Sequence, residues 1–186
     1  MKRVAMVLGM SLVVAVPSFA GGIGIFGAWW DSDEVDEDVG LGLELDIPVS
    51  PRVDLQLRGA HYDQLEADMN GFPVVVEAAP LDLGVAWHFL TPPSRVRPRL
   101  QGGLTYFVLS SDIRDVGVES GRIKDELGYY GGAGLDVRLA GYWAVYGDAL
   151  YRSGKAEIQG EGLHGFSFRD LDLSGVSLHL GIKLLW

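Results

Sequence analysis

Residues 178–186 read LHLGIKLLW, and the reading of this stretch decides the fold. Leu178, Leu180, Ile182 and Leu184 fall at every second position, with His179, Gly181 and Lys183 between them, and Trp186 follows in phase. Successive side chains of a strand point to opposite sides, so this alternation marks a β-strand with one apolar and one polar face. It leaves open which face turns inward.

The same period recurs along the chain in GIGIFGAWW (22–30), VGLGLELDI (39–47), VDLQLRGAHY (53–62), LDLGVAWHF (81–89), RLQGGLTYFV (99–108), YYGGAGLDVRL (129–139) and WAVYGDALYR (143–152). With the final stretch from about Gly175 to Trp186 these make eight strands, each near the roughly 9–11 residues that a tilted strand uses to cross a bilayer. Beyond Gly22 no segment carries a helical period or the run of about 18 apolar residues that a membrane helix needs. The connections PVSPR, LTPPSRVRP and LAGY, after the second, fourth and sixth strands, are short. Those after the odd strands are longer and more polar: residues 31–38, 63–80, 110–128 and 153–170. An antiparallel up-and-down meander follows, with tight turns at one end and long loops at the other. Pro80, at the predicted entry of the fourth strand, has no N–H for a ladder, which predicts a bulge there or a strand start above the membrane.

Charge decides between the two faces. The polar face is rich in glycine and carries Glu44, Asp46, Asp54, Asp82, Asp136 and Asp148 with Arg58, Arg99, Arg138, Arg152 and Lys183, while the other face is nearly uncharged. A soluble barrel would have to expose that uncharged face to water, where so large an apolar surface does not stay dispersed. In a bilayer the apolar face meets lipid, the charges satisfy one another in a narrow lumen, and closure leaves no unpaired edge. The prediction is an all-β, eight-stranded antiparallel up-and-down transmembrane β-barrel. Eight strands leave an interior just wide enough for side chains, so Phe26, His88, Tyr146 and the charged residues are expected to close it. Trp87, Phe89, Trp143 and Trp186 fall at the short-turn end, and Trp29, Tyr62, Tyr106, Tyr129 and Tyr151 at the loop end, the two belts that membrane interfaces select.

Residues 1–20, MKRVAMVLGMSLVVAVPSFA, have a basic start, an apolar run from Val4 to Val16, and Ser18 and Ala20 spaced for a signal peptidase. Cleavage after Ala20 is expected, leaving residues 21–186 as the barrel domain. Loss of Lys2 and Arg3 then makes the formal net charge two units more negative than −10. So acidic a chain has no electrostatic attraction for nucleic acid.

The leader, the eight alternating strands, the short turns and the terminal aromatic together resemble the small outer-membrane barrels of Gram-negative bacteria: the OmpA-barrel, OmpX/Ail and Opa group. The resemblance spans Gly21 to Trp186. It implies export to the outer membrane, a surrounding of outer-membrane lipid and lipopolysaccharide, and no cofactor. It also implies that Leu178, Leu180, Ile182, Leu184 and Trp186 form the signal read by the barrel-assembly machinery, with Trp where Phe is usual. With the chain ending there, no peptidoglycan-binding domain is expected to follow.

For function, the reading is a non-enzymatic membrane protein with a structural or cell-surface role, its lumen closed by charge. A narrow channel for ions or small solutes is the alternative, and a lipid A-modifying enzyme comes third. Acyl-transferring barrels need a nucleophile beside a base. The His-x-Ser-Asn pattern of the lipid A deacylase is missing, the nearest residues are His61 and the pair Ser177 and His179, and no catalytic residue is assigned. The acidic run Asp31, Asp33, Glu34, Asp36, Glu37 and Asp38 lacks the spacing of a calcium loop, so no metal site is assigned. It is read as a solvated loop, or as a bridge through divalent ions to lipopolysaccharide phosphates. Phe72, Val116, Phe166 and Phe168 stand among charges in the loops, and a β rim there could add strands from a surface partner.

Overall fold

The computed structural model describes residues 21–32, 37–69, 72–111, 122–123, 126–156, 158–159 and 171–186. The expected leader, Asp33, Glu34 and Asp36 of the acidic run, and Val116, Phe166 and Phe168 lie outside the described residues, as does the side chain of Phe72. The strands are β1 (Gly22–Ser32), β2 (Asp38–Ser50), β3 (Val53–Met69), β4 (Phe72–His88), β5 (Val96–Ser111), β6 (Glu126–Arg138), β7 (Trp143–Ser153) and β8 (Gly175–Leu185). They close into one barrel in which each strand pairs antiparallel with its neighbours in sequence and β8 returns to β1. Four two-residue pieces form two small ladders outside the barrel, 122–123 with 158–159 and 155–156 with 171–172.

The opening stretch is the closing seam. Gly22 to Ser32 pairs without a break against Leu185 to Gly175, and the Trp186 amide donates to Gly21 O at 3.2 Å. Every backbone donor along this edge therefore has a partner, the condition for β structure in hydrocarbon.

The third connection differs from its reading as a loop over 63–80. Pairs from Tyr62↔Ala78 to Met69↔Phe72 carry β3 and β4 on as a long hairpin whose connecting residues are Asn70 and Gly71. Asn-Gly is the composition that two-residue hairpins favour, and Val74, Val75 and Val76 are strong strand formers, two signals that the flanking acids Asp63, Glu66, Asp68 and Glu77 obscured. The β4 strand thus starts eight residues before Pro80. Pro80 pairs with Phe107 of β5, while on the β3 side the ladder passes from Gly59↔Leu81 to Tyr62↔Ala78, and a register shift follows between Tyr62 and Leu65.

Alternation sorts the side chains cleanly. Leu41, Leu43, Leu57, Leu83, Leu104, Leu178, Leu180 and Ile182 point outward and are exposed, whereas Glu44, Arg58, Asp82, Arg99, Asp148 and Lys183 point inward and are buried. Gly27, flanked across the two ladders by Leu41 and Leu180, floors a shallow apolar groove on the outer wall. A charge placed on this outer wall meets hydrocarbon and destabilises a barrel by about 2–4 kcal/mol at mid-depth. Leu180→Arg, midway along β8, is expected to lose that amount in urea unfolding from lipid vesicles. A loss below about 0.5 kcal/mol, the usual size of a neutral surface change, would contradict the lipid-facing assignment.

Candidate functional site

The lumen is built from alternate residues of all eight strands, and its charges fall into tiers. In the middle tier Arg58 donates through Nη2 to Glu44 Oε2 at 2.8 Å and to Gln101 Oε1 at 2.9 Å. Arg99 grips Asp148 with Nη2 to Oδ2 at 2.8 Å and Nε to Oδ1 at 3.1 Å, and reaches Glu44 Oε1 at 3.3 Å. Two donors of one planar guanidinium thus meet two oxygens of one carboxylate, the strongest geometry that this pair offers. Toward the loop end Arg152 Nη2 donates to Asp82 Oδ2 at 2.8 Å and Nη1 to Ser177 Oγ, and Thr105 Oγ1 donates to Asp82 Oδ1 at 2.8 Å. Toward the short-turn end Lys183 Nζ meets Glu44 Oε1 at 2.6 Å, Asp46 Oδ2, and Asp136 Oδ1 at 3.5 Å. His88 Nε2 lies 2.7 Å from Asp54 Oδ2.

Glycine makes room for this crowding. A Cβ at Gly134 would lie 1.8 Å from Asp148 Oδ1 and 3.0 Å from Arg99 Nε, so the Arg99–Asp148 pair rests on bare backbone. Phe26 lies in the same way across Gly42, where a Cβ would come within 2.2 Å of its ring. The Tyr146 ring carries Lys183 Nζ at 4.6 Å and Arg99 Cζ at 5.5 Å from its centroid, distances at which the negative face of an aromatic ring attracts cations.

Above the charges the filling becomes apolar. Trp30 packs on Tyr62 with centroids 5.2 Å apart and on Phe107 at 6.0 Å, and Leu109 and Leu173 are buried in the same cluster. Below these rings His179 stacks on Phe26 at 4.5 Å.

Two residues stand elsewhere than the sequence reading put them. Tyr62, assigned to the outer belt, is fully buried: it shares the inward parity of Arg58 and Ala60, and its ring completes the cluster with Trp30 and Phe107. Arg138, assigned to the charge network, points inward at the short-turn mouth without an ion pair. Its nearest same-wall acid, Asp136, is engaged by Arg99 at 3.4 Å and by Lys183. Trp87, Tyr106, Tyr129, Trp143, Tyr151 and Trp186 are exposed on the outer wall, and Trp29 is half-buried there, donating through Nε1 to Glu37 Oε2 at 3.1 Å. The sequence reading missed Trp30 and Phe107. The doublets Trp29-Trp30 and Tyr106-Phe107 held the signal, since adjacent strand residues must face opposite ways.

The three candidate catalytic residues are not assembled. Ser177 and His179 are sealed in the lumen, Ser177 Oγ is taken by Arg152, and neither ring nitrogen of His179 has a hydrogen-bond partner. His61 is on the outer wall, 2.6 Å from Asp63. Among the described residues no group of three or more His, Asp or Glu side chains could hold a metal ion.

Removing one member of a buried pair strands the other, at about 3–5 kcal/mol, whereas replacing both by apolar side chains is close to neutral. Asp82→Leu is therefore expected to lower unfolding free energy by that amount, and the double variant Asp82→Leu/Arg152→Met to recover most of it. Additive losses would contradict the pairing. Gly134→Ala is expected to lower the temperature at which the barrel loses its faster gel mobility, since the added methyl displaces Asp148 from Arg99.

Similarity to known proteins agrees with this architecture. The family model for the outer membrane protein beta-barrel domain matches residues 8–183. No curated protein sequence matches the chain. Among solved structures, the outer membrane protein OprG from Pseudomonas aeruginosa is 19% identical with a TM-score of 0.75, covering 90% of this chain and 97% of that one. Neisserial surface protein A is 12% identical with a TM-score of 0.60, covering 89% and 96%. The outer membrane protein W of E. coli is 15% identical with a TM-score of 0.59, covering 91% and 100%. At such identities the likeness is one of fold, and it is the family match over nearly the whole chain that places the protein: it belongs to the outer membrane protein β-barrel domain family and resides in the outer membrane.

Proposed function

We propose that the protein is a closed, non-enzymatic barrel that anchors a loop-end surface outside the cell, in a structural or surface-interaction role. The observation that carries this reading is the filling of the lumen in two chemistries. A permeating ion must part Arg58, Arg99 and Lys183 from Glu44, and any solute must also displace the Trp30–Tyr62–Phe107 cluster. Breaking one buried pair costs about 3–5 kcal/mol, so an ion path would have to undo several such contacts at each passage. The non-enzymatic part is supported by Ser177 and His179, which have no route to lipid through the wall and no nucleophile–base bond between them.

The long β3–β4 hairpin supports the surface role, because it continues strand pairing past Tyr62 as far as Met69↔Phe72. Ladders of this kind give a partner's strand an edge to join.

In planar bilayers the purified protein is expected to give no resolved current steps. Steps in the parent protein, altered in size by Arg58→Ala or Asp148→Ala, would instead support a narrow channel. Replacing residues 63–77 by an Asn-Gly turn should keep the gel shift on heating and abolish adhesion of cells displaying the protein. Adhesion unchanged in that variant would sink the surface role.

A further inference from the structure

The short-turn mouth holds two arginines that the ion pairs of the lumen do not engage. Among the described residues six carboxylates are buried in the barrel, Glu44, Asp46, Asp54, Asp82, Asp136 and Asp148, and their ion-pair partners are Arg58, Arg99, Arg152, Lys183 and His88. Arg97 and Arg138 are absent from that set, although both point inward at the mouth.

Arg97 is 6% exposed, yet no ion pair or side-chain hydrogen bond holds its guanidinium, and its buried Nε has no partner. Arg138, half-buried, is in the same state at Nε. Strand register brings them together. Arg97 of β5 pairs with Asp136 of β6, and the Arg138 amide donates to Arg95 O at 2.7 Å, so the two arginines are diagonal neighbours on one inner wall. Diagonal positions in a sheet stand about 7–8 Å apart, within reach of two long side chains converging on one ion.

Asp54 and Asp136 attract Arg97 electrostatically, but each makes its direct contacts elsewhere. Asp54 is held by His88 at 2.7 Å, and Asp136 is drawn toward the barrel centre by Arg99 at 3.4 Å and Lys183 at 3.5 Å. The rim of the mouth is basic as well: the three short turns contribute Arg52 and Arg95 and no Asp or Glu, in a chain whose net charge is −10. A buried guanidinium N–H without an acceptor is costly, and a planar fork of donors selects oxygen pairs.

We infer that Arg97 and Arg138 form an oxyanion site in the short-turn mouth, which takes a small phosphate- or carboxylate-bearing anion between their two guanidinium groups.

The test uses the protein refolded in detergent micelles, with inorganic phosphate and succinate as separate probes and sodium chloride at matched ionic strength as reference. The expected result is saturable movement of the Arg97 and Arg138 Nε–H resonances with at least one probe, absent with chloride. The tighter probe identifies a phosphate or a carboxylate as the natural group. Arg97→Gln and Arg138→Gln should each weaken binding tenfold or more, while Arg52→Gln at a turn tip leaves it unchanged. If Arg97→Gln does not give the folded gel mobility, Arg138→Gln at the half-exposed rim decides. No saturation with either probe, an equal response to chloride, or equal weakening by Arg52→Gln would overturn the site.

Discussion

Glu44 is held at once by Arg58 at 2.8 Å, by Arg99 at 3.3 Å and by Lys183 at 2.6 Å, cations delivered by three different strands, β3, β5 and β8. The rest of the barrel depends on that meeting. A sheet closed by eight strands and greasy outside must turn its polar face inward, and there a carboxylate cannot remain charged unless cations surround it. The charges therefore act across the lumen: Arg152 of β7 bonds Asp82 of β4, three strands away, and Arg58 of β3 meets Asp148 of the opposite strand β7 at 3.4 Å, so distant walls are tied together as well as adjacent strands. Isolated pairs of this kind stabilise little over apolar packing, but their directional bonds allow one arrangement of the strands and penalise others.

The lumen changes character with height. Near the short turns it is ionic and opens onto Arg97 and Arg138; near the loops it is aromatic, with Trp30, Tyr62 and Phe107 in one cluster. The two fillings bar different passengers. Rings exclude hydrated ions because nothing in them replaces a hydration shell, and a charge network excludes apolar solutes because parting it returns no bond.

The fold was legible because a membrane barrel writes itself in period two, and closure makes every strand obey. The number of strands, their antiparallel order and the short connections could be read from alternation and turn residues alone. The wall also told which charges point inward, from Glu44 to Lys183, because parity fixes direction. Partnership was not legible. Arg138 and Arg99 have the same parity and the same charge, and only the three-dimensional placement of Asp136 shows that it serves Arg99 and leaves Arg138 aside. Tyr62 was misread because interface belts and lumen plugs draw on the same aromatic residues, and what separates them is a single step of register. The β3–β4 hairpin was hidden by its acidic composition, since polarity reads as loop wherever a strand stands clear of lipid and has no face to make greasy.

The seam between β1 and β8 sets the order of events when the barrel forms. It joins the first and last strands of the sheet, so no sheet edge can be retired until the strand furthest along the chain has arrived. Six hairpin pairings are local and can form early, but the seventh strand and the first wait with open edges for the eighth, and the pairing that supplies it spans residues 154–174, the longest stretch of sequence between successive barrel strands. Such closure is slow for entropic reasons, and an open-edged sheet is the species most prone to aggregate. The interval between synthesis and closure, rather than the stability of the finished barrel, is thus where this protein is most exposed to loss.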